Sequence, residues 1–166
     1  MAPDRHLALY PGTFDPPTFG HLDILVRARR LFDRVIVGIG RNPTKHPSFT
    51  VDERREMLEA AIAELGLTGV SVEAFDGLTA DFAHEHGAAA IVRALRSVTD
   101  FEAEFALDIA NAKLAPELES VLLIARPEYM HLSSTFVRQA AEQGRRIIPG
   151  SVPPSVEQYL RRRYGF

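Results

Sequence analysis

His21 falls in the first turn of a helix that the segment "TFDPPTFGHLDIL" (13–25) opens directly after an apolar strand. Pro11-Gly12 turns the chain, Pro16-Pro17 forbids helix until Thr18, and Thr18 is a good N-cap. A cation-prone ring there opposes the macrodipole, which favours acidic side chains at a helix start. An anionic ligand resolves the conflict. Exposed amides, the dipole, the Thr13 hydroxyl and a ring N–H converge on one point, which suits phosphate. Gly20 removes a side chain where backbone would approach such a ligand. A tight loop with a satisfied histidine is the bland reading of His21 alone; the whole Thr13/Gly20/His21 cluster favours the phosphate site.

A second candidate is "LSSTFVR" (132–138). One hydroxyl suffices to cap a helix, so Ser133, Ser134 and Thr135 together predict spare hydroxyls and N-terminal amides in another anion pocket. Arg138 lies one turn along the same face as Ser134 and Thr135. Arg93 and Arg96 fall at and just beyond the end of the fourth strand, where a guanidinium offers a rigid fork to phosphate oxygens. Lys45, in "RNPTKHPSF", can reach the same crevice; it and Lys113 are the only lysines in an arginine-biased chain. Surface solvation is the bland alternative for each of these cations.

Other signals carry no site. "GIGRNP" lacks the third glycine of a dinucleotide loop, and no GxxxxGK[ST] stretch occurs. His84 and His86 diverge on a helix, and Arg161–Arg163 is a basic helix end that suits the dipole.

These residues need a scaffold, and the chain supplies one. Apolar strand-like runs at 6–10, 34–40, 70–75, 88–95 and 120–125 alternate with helical stretches at 18–32, 50–66, 78–86, 100–114 and 133–144, and a proline-started helix ends the chain. Strands of this kind, each followed by a helix, predict one α/β domain over 1–166: a doubly wound, five-stranded parallel sheet, Rossmann-like, of order 3-2-1-4-5, with helices on both faces. Ligands in such sheets bind beyond the strands' carboxyl ends at the switch point, here between the first and fourth strands. The loops there are "PGTFDPPTFGH" and "RALRSVTD".

Composition excludes several alternatives. A net charge of −3 argues against nucleic acid or an anionic membrane surface as partner. The chain has no cysteine, so it has no thiol nucleophile or thiolate metal site, and this fits a reducing compartment. No apolar run approaches the ~18 residues of a bilayer span, and the first residues lack a signal-peptide pattern, so a cytoplasmic location is expected.

With these residues assembled, the sequence resembles the phosphopantetheine adenylyltransferase family of HxGH-type nucleotidyltransferases nearly end to end. The matching stretches are "YPGTFDPPTFGHLDIL" with T-x-G-H at Thr18–His21, "NPTK", "FTVDER", "VRALR", "TDFEAEFAL" and "LSSTFVR". The resemblance implies transfer of AMP from ATP to 4'-phosphopantetheine in coenzyme A biosynthesis, with Mg²⁺ carried mainly by the ATP phosphates, and a homohexamer. Carried over by motif, Thr13, Phe14 and His21 belong to ATP binding. Thr13, Lys45 and Arg93 match positions that bind phosphopantetheine, and Thr79 falls where the family lines the pantetheine arm. Ala94, Leu95, Arg96, Glu104, Tyr129, Met130, His131, Leu132, Ser133, Ser134 and Thr135 match the remaining nucleotide positions. The chain departs from the family's pattern in three places: Ala94 stands for the glycine of "RGLR", Ala103 for the aromatic of "DFEYE", and Thr79 for an apolar residue.

The substrate's phosphate is itself the nucleophile in that reaction, so donors and cations are needed and an activated side chain is not. His21 and Thr13 then serve the α-phosphoryl group, Lys45 both reactants and Arg93 the incoming phosphate. Bound phosphate is expected to raise the pKa of His21. Two alternatives stay open. Another small HxGH enzyme, a nicotinamide mononucleotide adenylyltransferase or a cytidylyltransferase, lacks the "VRALR…TDFEAE" stretch. A non-catalytic nucleotide sensor would not need Lys45 and Arg93.

Overall fold

A computed structural model describes residues 3–41 and 46–166. Its elements alternate as the sequence predicts: β1 (Asp4–Gly12), α1 (Phe19–Leu31), β2 (Arg34–Gly40), α2 (Val51–Glu64), β3 (Val70–Phe75), α3 (Thr79–Glu85), β4 (Ala88–Leu95), α4 (Val98–Leu114), β5 (Glu119–Ile124), α5 (Ser134–Glu142) and α6 (Pro154–Tyr164). All neighbouring strands pair in parallel, in the order β3-β2-β1-β4-β5.

The period-two alternation of strand side chains builds a core on each face. Ala8 and Tyr10 of β1 join Val35, Val37 and Val92 against Leu22, Leu25 and Ala28 of α1 and Leu58 and Ala61 of α2. Leu7 and Leu9 point the other way, with Ile36, Ile91 and Phe75, toward Ala80, Phe82 and Ala83 of α3. A third cluster lies off the sheet: Phe49 and Met57 with Val137 and Ala141 of α5 and Val156 and Leu160 of α6. In it α6 packs against both α2 and α5, so α5 is held to the domain by apolar packing.

Helix ends follow the cap chemistry. Thr50 accepts from Glu53 N and Glu53 returns a carboxylate to Thr50 N, the capping box expected from the sequence. α4 begins at Val98, two residues before the expected start, because Ser97 caps it by accepting from Asp100 N. A 3₁₀ turn at Pro127–Tyr129, which the periodicity did not predict, follows β5. α4 buries none of its residues; Val98, Phe101, Phe105, Leu107, Ile109 and Leu114 all lie open to solvent.

Candidate active site

A cavity of about 360 Å³ opens where β1 and β4 end, at the switch point of the strand order. Of the residues singled out in the sequence, Thr13, Phe14, His21, Thr79, Arg93, Ala94, Arg96, Glu104, Tyr129 and Leu132 line it. Leu95, Met130, His131, Ser133, Ser134 and Thr135 are not among its lining residues. Lys45 lies outside the described residues. Ala94 contributes its methyl to the rim of the first core, Ala103 is exposed on α4, and Thr79 also lines a neighbouring cavity of about 190 Å³ that shares Arg93 and Glu104.

The first loop is built around Phe14, which takes a left-handed backbone (φ 50°) and buries its ring. That ring meets Tyr10 and His21 edge-on, with centroids 5.4 and 5.1 Å away. Gly12 is required by this packing, since a Cβ there would come within 2.9 Å of the Phe14 ring. Gly20 is different. A Cβ at Gly20 would meet Thr18 Oγ1 at 3.5 Å and Tyr129 Cβ at 3.6 Å, which is ordinary contact, so the protein's own packing does not demand a glycine there.

His21 does not oppose its helix in the way its position suggested. It occupies N3 of α1, and its ring completes a capping box: Thr18 N donates to His21 Nδ1 at 3.0 Å, and His21 N donates to Thr18 Oγ1 at 3.4 Å. Burial, with a smaller push from the Arg96 charge, lowers its pKa to about 4. The ring is therefore neutral at pH 7. Among the described residues its Nε2 has no hydrogen-bond partner.

The arginines are less free than their positions predicted. Arg93 donates from Nε and one terminal nitrogen to the two oxygens of Glu104, at 2.7 and 2.8 Å, a bidentate pair that fixes the guanidinium plane. Its other terminal nitrogen points toward the Pro11 carbonyl at 3.4 Å. Arg96 donates to the Asp100 carboxylate and to the Leu132 carbonyl, both at 3.2 Å. Both carboxylates on the cavity wall are thus held by arginine.

At the start of α5 each hydroxyl has a partner, although Ser133 and Thr135 only accept and keep an O–H to donate. Ser133 caps the helix by accepting from Phe136 N, Ser134 Oγ donates to the Pro16 carbonyl at 2.7 Å, and Thr135 Oγ1 accepts from Arg138 at 3.4 Å. Arg138 also reaches from that face to the first loop. It pairs with the Asp15 carboxylate at 3.4 Å and donates to the Asp15 carbonyl. What α5 can present to an anion is those two O–H groups and the amides of Ser133, Ser134 and Thr135, which have no intrahelical acceptor.

Asp15 and Arg54 were not singled out as a scaffold in the sequence, although both lie in stretches quoted above. Asp15 is buried and accepts from Ser48 N and Phe49 N, each at 2.9 Å, tying the first loop to the chain before α2. Arg54, also buried, donates to the Thr13 carbonyl at 2.8 Å and the Phe49 carbonyl at 3.1 Å; burial lowers its pKa, and Asp15 opposes that shift. A buried charge needs such partners to be tolerated. The available signal was a charged residue on the apolar face of a helix, visible only once the face is known.

Among the described residues no group of three or more His, Asp or Glu side chains could hold a metal ion. Nor is any helix among them long and apolar enough to cross a membrane.

Known proteins match this arrangement. The Cytidylyltransferase-like family model matches residues 9–140, from β1 into α5. The chain is 50% identical over 160 residues to the phosphopantetheine adenylyltransferase of Moorella thermoacetica, covering 96% of this chain and 98% of that one. It is 46% identical over 158 residues to the enzyme of the same name from a Synechococcus strain (95% and 98%), and 43% over 159 residues to that of Desulforudis audaxviator (96% of each). Two crystal structures of a bifunctional NMN adenylyltransferase/ADP ribose pyrophosphatase from Francisella tularensis superpose on 96% of the chain, with TM-scores of 0.74 and, for the complex with AMP and a manganese ion, 0.72. At 18% identity they share the fold, and this chain spans 49% of each of them. The chain is therefore an adenylyltransferase, a member of the phosphopantetheine adenylyltransferase family.

Proposed function

We propose that this cavity transfers the adenylyl group of ATP to the phosphate of 4'-phosphopantetheine, releasing pyrophosphate and dephospho-coenzyme A, by positioning and charge stabilisation with no protein nucleophile. The observation that carries this reading is the convergence of a neutral His21, the Thr13 loop, Arg93 and Arg96 on one cavity at the sheet's switch point. The acceptor phosphate attacks the α-phosphorus, and the bond to the β-phosphate oxygen breaks as pyrophosphate leaves. Both reactants are highly charged, so fixed donors aimed at the transferring group stabilise the charge that develops there.

The roles are those that the sequence and the family resemblance suggest. His21 and Thr13 serve the α-phosphoryl oxygens. Arg93 meets the incoming phosphate with the edge that Glu104 leaves open. The amides of Ser133–Thr135 at the start of α5 hold the β- and γ-phosphates, and Arg96 stands beside the nucleotide. Lys45 is assigned, on the family resemblance, to the space between the two reactants. Asp100 and Glu104 are engaged by arginine, so the wall offers no carboxylate shell for a cation, and Mg²⁺ would arrive on the ATP phosphates.

One domain spanning 1–166 carries the reaction. We also infer a homohexamer, supported by the apolar, unburied face of α4 in this chain, and a cytoplasmic location, supported by the lack of cysteine.

A pyrophosphate-release assay separates the readings. With ATP and 4'-phosphopantetheine the chain is expected to release pyrophosphate. Nicotinamide mononucleotide in place of the acceptor should give none. Release with nicotinamide mononucleotide, or ATP binding without any release, would contradict the proposal.

A further inference from the structure

The main chain of Thr18 faces the ring that it caps. Thr18 N lies 3.0 Å from His21 Nδ1, and Thr18 Oγ1 lies 3.1 Å from the same nitrogen. A backbone amide can only donate, so Nδ1 must carry a bare lone pair; a proton on it would meet the amide hydrogen head-on. The neutral ring then holds its one hydrogen on Nε2. We infer that the N-cap of α1 locks His21 as a neutral Nε2–H donor, with the main chain of Thr18 as the positioning group that selects the tautomer. This rests on the role proposed above for His21 at the α-phosphoryl group.

The surroundings fit a neutral donor. Phe14 covers the ring with an edge contact at 5.1 Å. Among the described residues, the charged groups on the cavity wall are Arg93 and Arg96, at and just beyond the end of β4, and Asp100 and Glu104, from α4, each carboxylate held by one of those arginines; Tyr129 enters from the turn after β5. The Arg96 charge disfavours a second proton on the ring, as burial does. The rise in His21 pKa on phosphate binding, expected from sequence, would have to break the Thr18 N–H bond to proceed. Donation from Nε2 needs no second proton, so a phosphoryl oxygen can be bound while the cap stays closed.

The same geometry makes a specific substitution informative. A glutamine at N3 can also close the box, its side-chain carbonyl accepting from Thr18 N while its NH₂ donates outward. His21→Gln is therefore expected to turn over at least about tenfold faster than His21→Ala and to unfold at the temperature of the wild type. Turnover by His21→Gln no faster than His21→Ala, with folding intact, would overturn the inference. Independently of activity, a ¹⁵N-histidine NMR titration should show His21 with bare Nδ1 and protonated Nε2 from pH 6 to pH 8, free and with ATP bound. A proton on Nδ1 anywhere in that range overturns the lock while leaving the proposed reaction standing. Wild-type turnover by His21→Ala removes the reaction role while leaving the tautomer assignment intact.

Discussion

α1 and α2 begin with the same capping box and differ in its N3 residue. Both have threonine at the N-cap and a side chain three residues later that accepts from the N-cap amide: Glu53 at 2.7 Å in α2, His21 at 3.0 Å in α1. In α2 the acceptor is a carboxylate, which also suits the macrodipole and has nothing left to donate. In α1 the acceptor is one nitrogen of an imidazole, and the other nitrogen still has a hydrogen. The first arrangement serves the helix alone. The second serves the helix and leaves a donor where the cavity lies, at the end of β1.

The largest effect should come from making α1 resemble α2. His21→Glu keeps an acceptor for Thr18 N, so the protein should fold. It removes the donor and adds a negative charge, and turnover should fall by at least the ~10²–10³ typical of losing one preorganised donor. Steady-state pyrophosphate release checks it, and near-normal turnover would show that the donor is irrelevant.

A second effect concerns the acceptor side. Glu104→Gln removes the charge that orients Arg93, and a hydrogen bond to a charged group is worth enough that the KM for 4'-phosphopantetheine should rise about tenfold, with the KM for ATP less affected. Equal rises in both constants would mean that Glu104 orients more than the acceptor's arginine.

The reciprocal substitution is smaller and purely structural. Glu53→Ala opens the α2 box while leaving the Thr50 cap, and should cost about 0.3–1.5 kcal/mol in denaturant unfolding, with kcat unchanged. A loss of turnover there would mean that α2 reaches the site, and the contrast between the two helices would fail.

The smallest effect is on acid stability. The unfolded His21 ring gains a proton below about 6.5, whereas the folded ring stays neutral to about 4. Protons therefore favour the unfolded chain in that window. The contribution is full above it and declines as pH falls through it. Unfolding curves should show His21→Gln losing less stability than wild type between pH 6.5 and pH 4.

Most of the fold was legible because its signals are local and redundant. Apolar runs end at Gly40 and Leu95 where the strands end, and Thr18, Thr50 and Ser133 cap the helices expected of them. The site was legible as a set of residues and less so as a set of contacts. That Arg93 turns to Glu104, Arg138 to Asp15 and Ser134 to Pro16 depends on pairings between residues 11 to 123 positions apart, which no spacing rule contains. The histidine at N3 looked misplaced because only its charge was weighed. Its lone pair was the relevant property.

Turnover of His21→Ala at saturating ATP and 4'-phosphopantetheine, measured beside its ATP affinity, tests the central claim most directly. A kcat lower by ~10²–10³ with ATP affinity nearly unchanged is the predicted result. Equal turnover in mutant and wild type would contradict it.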